Sequence, residues 1–230
     1  MRRITVWDLP TRIFHWALLS LVLAAFVSAQ IGGNAMPWHG RFGIAIVGLL
    51  AFRLAWGVLG STYARFTTFV RGPQTIRAYL KGEWHGAGHN PLGALSVLGM
   101  LAVLLAQALS GLFSNDDIAF KGPYAALLSL ENSANMTELH EINFVILAVL
   151  IGLHIAAIIF YTRVKKENLL KPMVQGFKDV EGDVPSATGG GWLALVVSVA
   201  IGVGAAWVAS GALAEKPLPA PAVKIDTPAW

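Results

Sequence analysis

The sequence predicts an all-α integral membrane protein built from five transmembrane helices, and three observations predict it. Of 230 residues, 55% are hydrophobic and 13% are charged, against about 25% charged in a typical soluble domain. Mean hydropathy is +0.60. Five apolar stretches each approach or exceed the roughly 20 residues that a helix needs to cross the hydrocarbon core. This composition excludes an ordinary cytosolic enzyme, a disordered chain and a secreted disulfide scaffold. The absence of cysteine also excludes thiolate metal sites, iron–sulfur clusters and covalent attachment of a cofactor through CxxCH.

The five stretches are Ile13–Ile31, Trp38–Leu59, Pro91–Phe113, Leu139–Tyr161 and Gly191–Leu213. Arg12, Arg41, Arg53, Glu138 and Glu141 lie at or just inside their edges. In lipid every backbone polar group must be paired within the segment, so continuous apolar runs are helices. They do not alternate as barrel strands would. The first stretch has the look of a secretory signal, with Arg2-Arg3 and Val27-Ser28-Ala29. Its apolar run is too long for one, however, and Asp8, Pro10 and Arg12 crowd its start.

Orientation follows the basic residues. Arg2, Arg3, Arg12, Arg65, Arg71, Arg77, Lys81, Arg163, Lys165, Lys166, Lys171 and Lys178 fall on one side. Lys121, Lys216 and Lys224 fall on the other, with Arg41 near the start of the second helix. The N-terminus is thus expected in the cytoplasm and the C-terminus outside. The net charge of +4 reflects this asymmetry and anionic lipid, not nucleic acid. Pro73 is expected to open a short interfacial helix through Leu80. Asn135 with Glu138 reads as a capping box starting the fourth helix.

The histidines carry the chemistry. Six occur, and His15, His39, His140 and His154 lie in or at the edges of spans, where an ionisable group is costly and points to function. His140 and His154 are 14 residues apart. They therefore share a helix face to within about 40° and lie about 21 Å apart along the axis. His39 begins a helix on the outer side, level with His140. His15 is early in a helix that begins on the inner side, level with His154. Two layers of paired imidazoles result, as a bis-histidine haem at each depth requires. Arg41 outside and Arg53 or Arg12 inside are candidate propionate partners, although each also suits an interfacial anchor. Gly40, Gly43 and Gly152 suit either close approach of a macrocycle or ordinary helix packing. His85 and His89, among loop glycines, are expected to be solvated or interfacial, since no third metal ligand is near in sequence.

Several segments resemble one family in order: VWDLPTRIFHW, WHGRFG, FRLAWGVLGSTYARFTTFVRGP and GHNPLGALSVLGMLAVLLAQALSGLF. They resemble the prokaryotic cytochrome b561 family, which includes cytochrome b subunits of membrane hydrogenases and related reductases. The resemblance runs from about Ile4 to Arg163. It implies a four-helix bundle holding two b haems and passing electrons between quinone and a redox partner. By this resemblance His15 and His154 ligate the inner haem, and His39 and His140 the outer one, in agreement with their depths.

The expected organisation is a four-helix diheme domain over 1–165, a cytoplasmic linker over 166–190, an added transmembrane helix over 191–213 and a Pro-rich periplasmic tail over 214–230. Ser198, Gly202, Ala206 and Ser210 form a small-residue stripe on the added helix, suited to its own bundle or to a partner subunit. The expected function is transmembrane electron transfer in the bacterial cytoplasmic membrane. Its partners would be quinone and a c-type cytochrome or a reductase or hydrogenase subunit. Two protein ligands on each iron leave no open position for oxygen chemistry. The rival readings are a transporter or channel using the histidines as a proton or metal relay, and a membrane anchor subunit of a redox complex.

Overall fold

The computed structural model describes residues 1–214 except 85 and 119. His85 and the Pro-rich tail from residue 215 onward thus lie outside the described residues. The protein is a helical bundle with five helices long and apolar enough to cross a membrane. Helix α1 is Leu9–Ile31 and α2 is Met36–Leu59. Two short helices, α3 (Phe66–Phe69) and α4 (Pro73–Leu80), follow in the loop. Helix α5 is Pro91–Phe113, α6 is Leu130–Arg163, the short α7 is Leu170–Gln175, and α8 is Trp192–Trp207. Helix α8 continues into a wide π turn over Val208–Ala212.

Helix starts are set by local chemistry. The Asp8 carboxylate caps α1 by accepting from the Thr11 amide at 2.8 Å, and Pro10 occupies the first turn, where its missing N–H costs nothing. The residues expected to crowd the first span are therefore its cap. The same carboxylate accepts from the Trp56 indole at 3.0 Å and from the Ser61 hydroxyl. One side chain thus joins the start of α1 to the end of α2. Asn90 caps α5 in the same way, at 2.7 Å from the Gly93 amide.

Helix α6 corrects an expectation. It starts at Leu130, where Ser129 accepts from the Asn132 amide at 3.2 Å. Asn135 and Glu138 lie inside the helix. Its 34 residues span about 51 Å at 1.5 Å each, well beyond a hydrocarbon core of about 30 Å. The polar first turns can therefore stand clear of the bilayer, where helix needs no apolar surface. A hydropathy pattern sees only the immersed part.

A two-stranded antiparallel ribbon closes one end of the bundle. Strand β1 (Arg2–Thr5) pairs with β2 (Phe177–Val180), Arg2 opposite Val180 and Thr5 opposite Phe177. Ile4 and Val6 are buried beneath it with Ala87. The 166–190 stretch runs across this end. Arg12 donates to the Val174 carbonyl, the Trp16 indole to the Met173 carbonyl at 3.3 Å, and the Thr62 amide to the Thr188 carbonyl at 2.8 Å. The N-terminus, the 60–90 loop and the 163–190 stretch therefore share one end, here called the basic end. The 114–129 loop marks the far end.

Helix α8 docks on its own bundle, against α2. A Cβ on Gly202 would lie 2.8 Å from the Gly48 carbonyl oxygen, and one on Gly48 would lie 3.0 Å from the Ala206 methyl. Small residues here let the two backbones touch. Ser198, Gly202 and Ala209 are buried, whereas Ser210 is exposed. Steps of four residues drift about 40° each on a helix of 3.6 residues per turn. The stripe therefore returns to the interface at Ala209 rather than Ser210.

The buried centre comprises Ala25, Ile46, Leu50, Leu104 and Leu147. Leu147 stands halfway along α6 between His140 and His154. The apolar core thus separates two polar sites, one at each end.

Candidate functional site at two ends of the bundle

At the far end, His39 and His140 face each other with ring centroids 6.0 Å apart and ring planes at 80°. They line a cavity of about 360 Å³ between α1, α2, α5 and α6. Its wall includes Ala25, Phe26, Gly43, Leu104, Phe120 and Phe144. Both rings are tethered. His39 Nδ1 donates to the Ala25 carbonyl at 2.8 Å, and His140 Nδ1 lies 3.1 Å from the Ser110 hydroxyl. A tethered Nδ1–H leaves the Nε2 lone pair free, as a metal-ligating histidine needs.

At the basic end, His15 and His154 lie within electrostatic reach of each other. His15 packs edge-on to Trp16, with centroids 5.1 Å apart. Its Nδ1 is sealed from solvent with no hydrogen-bond partner. Elsewhere at this end, Thr11 Oγ1, Arg12 Nε, Arg53 Nη1, Arg65 Nε and His89 Nδ1 are sealed and without a hydrogen-bond partner as well. Arg53 is buried in the last turns of α2, its guanidinium 4.9 Å over the Phe66 ring and within electrostatic reach of Asp8.

The sequence-predicted propionate partners separate here. Arg53 and Arg12 present unpartnered nitrogens at the basic end. Arg41 is exposed, lies 4.6 Å over the Trp38 ring and does not line the far-end cavity. That position suits an interfacial anchor. Gly40 and Gly43 line the cavity and Gly152 does not.

His89, expected to be solvated or interfacial, is partly buried: its ring packs between Trp7 and Phe69, with centroids 4.5 Å from each. Burial, with a contribution from Arg53, pushes its pKa down to about 3. The glycines around it hid this, because the apolar cover comes from the N-terminal segment and from α3.

The residues fit haem at both ends, for different reasons. A metal–imidazole bond is about 2.0–2.1 Å and the ring centre lies about one ångström beyond it, so two imidazoles on one metal have centroids about 6 Å apart. The far-end pair meets that spacing beside an apolar cavity. At the basic end, sealed nitrogens of Arg12, Arg53 and Arg65 have no hydrogen-bond partner among the described residues, and a haem's propionates would supply acceptors. Sequence reasoning did not single out Ser110, Gln107 and Asn143, although each is a polar residue within an apolar span.

Comparison with known proteins points the same way. A model of the family described as prokaryotic cytochrome b561 matches residues 6–176. No curated protein and no solved structure matches the chain significantly. The match covers α1 to α7, with both histidine pairs, and stops just before β2. With most of its length matched and the helical membrane architecture in place, the chain belongs to the prokaryotic cytochrome b561 family.

Proposed function

We propose that the protein carries electrons across the bacterial cytoplasmic membrane through two b-type haems, each held by two histidines. His15 and His154 hold one, and His39 and His140 the other. The single observation supporting this most directly is the placement of four histidines as two pairs at opposite ends of an apolar core. When bound, each haem supplies a one-electron couple whose potential the protein sets through axial ligation, burial and nearby charge.

The chain's own residues divide the remaining work. The Ala25 carbonyl and Ser110 hydroxyl orient the far-end ligands. Arg53 and Arg12, joined by Arg65, offer charge to propionates at the basic end. Ile46, Leu50, Leu104 and Leu147 exclude water between the sites. About 21 Å separates the two ligands on α6, at 1.5 Å per residue. The basic end faces the cytoplasm under the positive-inside rule, with the N-terminus inside and the C-terminus outside. The electrons pass between the quinone pool and a periplasmic or membrane redox partner, such as a c-type cytochrome or a reductase or hydrogenase subunit.

Replacing each histidine with alanine tests the pairing. His15→Ala and His154→Ala should each leave one haem and give the same spectrum. His39→Ala and His140→Ala should leave the other haem and share a second spectrum. Variants that match across the pairs, or that all keep both haems, would refute the assignment.

A further inference from the structure

Helix α5 carries no histidine, yet it makes the closest polar contacts to His140. We propose that Gln107, Ser110 and Gly111 form a seat on α5 that fixes the tautomer and ring position of His140 and so tunes the far-end haem. This rests on the haem reading above and concerns positioning residues, not ligands.

Ser110 is buried, and its hydroxyl touches two groups. It lies 3.1 Å from the Gln107 backbone carbonyl and 3.1 Å from His140 Nδ1. A hydroxyl has one proton, and a carbonyl can only accept. Ser110 satisfies both contacts at once only by donating to Gln107 and accepting from His140. Nδ1 then carries the imidazole proton, and the Nε2 lone pair is free.

Two further contacts hold the ring on this seat. A Cβ on Gly111 would stand 3.0 Å from His140 Cε1 and 3.2 Å from Nδ1, so the imidazole lies flush against the α5 backbone. One turn further along α6, buried Asn143 donates to the Gln107 side-chain oxygen at 2.6 Å and to the Val103 carbonyl at 3.0 Å. Asn143 has an unmet donor unless α5 and α6 keep this register, so the clamp holds His140 at the level of Ser110.

An acceptor on Nδ1–H makes the imidazole a more basic ligand. A more basic ligand favours the ferric state and lowers the haem's potential. Removing the Ser110 hydroxyl should therefore raise it.

The test is an optical redox titration of the full-length, haem-loaded protein, made in a His154→Ala background so that the far-end haem is read alone. Ser110→Ala should shift its one-electron equilibrium about tenfold toward the reduced form, which is about 59 mV upward. Ser110→Thr, which keeps the hydroxyl, should titrate at the parent value. An unshifted Ser110→Ala, or a Ser110→Thr shifted equally, overturns the seat. If Ser110→Ala loses the haem, Ser110→Thr must retain it at the parent potential, and loss in both overturns the seat as well. A wild-type protein without haem would instead overturn the parent reading, so the two failures are distinguishable.

Discussion

The two ends of the bundle hold the same kind of histidine pair in opposite states of preparation. At the far end both imidazoles are tethered through Nδ1, and the cavity beside them is largely apolar. At the basic end His15 Nδ1 is untethered, and Thr11, Arg12, Arg53, Arg65 and His89 each keep a sealed polar atom without a partner. A buried donor or acceptor left unmade costs about 1–3 kcal/mol, and more when charged. The far-end rings are hydrogen-bonded within the protein, whereas these basic-end atoms have no hydrogen-bond partner among the described residues. Under the proposed function, the far end orients a ligand ring and the basic end holds acidic groups.

Arg53 breaks this comparison most sharply. Arg53→Leu removes a buried guanidinium that we assign to a propionate. It should weaken haem binding at the basic end about 10–100-fold, in line with the 1.5–3 kcal/mol of a charge-assisted hydrogen bond, and leave the far-end haem in place. Haem retention during dilution would measure this, and equal losses at both ends would remove the distinction between them.

Asp8 should have the next largest effect. Asp8→Ala removes the α1 cap and the acceptor for Trp56 and Ser61. About 2–3 kcal/mol of stability should be lost, taking the cap and each of the two shared hydrogen bonds at up to about 1 kcal/mol. Asp8→Asn keeps a capping oxygen and should recover much of the loss. Thermal unfolding in detergent would measure both, and a neutral Asp8→Ala would contradict the joining role.

His89 sharpens the comparison through pH. Its folded pKa of about 3 lies below the ordinary 6.5, so between those values the unfolded chain binds a proton that the folded chain does not. Stability is fully present above pH 6.5 and falls as pH drops from 6.5 toward 3. His89→Leu should flatten this acid-side slope while leaving stability near pH 8 less affected. An unchanged slope would show that the loss of stability comes from other groups.

Much of this architecture was legible in residue order because lipid imposes one rule on every span. Five apolar runs gave five crossing helices, and the 14-residue spacing on α6 placed its two histidines on nearly one face. The Pro73 helix runs to Leu80 as its proline and amphipathic pattern imply. The ribbon was not legible, because Arg2–Thr5 meets Phe177–Val180 across the whole chain and a four-residue strand carries almost no local signal. The packing around His89 was hidden for a similar reason, since Trp7 and Phe69 cover it from distant segments. The start of α6 at Leu130 was missed because its cap, Ser129, lies outside the immersed region. Ser110, Gln107 and Asn143 were visible as polar residues in lipid, but their role depends on which helix faces His140.

Haem stoichiometry tests the central claim most directly. A pyridine haemochrome assay on the purified full-length chain, set against protein concentration, should give two b-type haems per polypeptide. One haem, or none, would contradict the account of two histidine-held sites at opposite ends of the membrane.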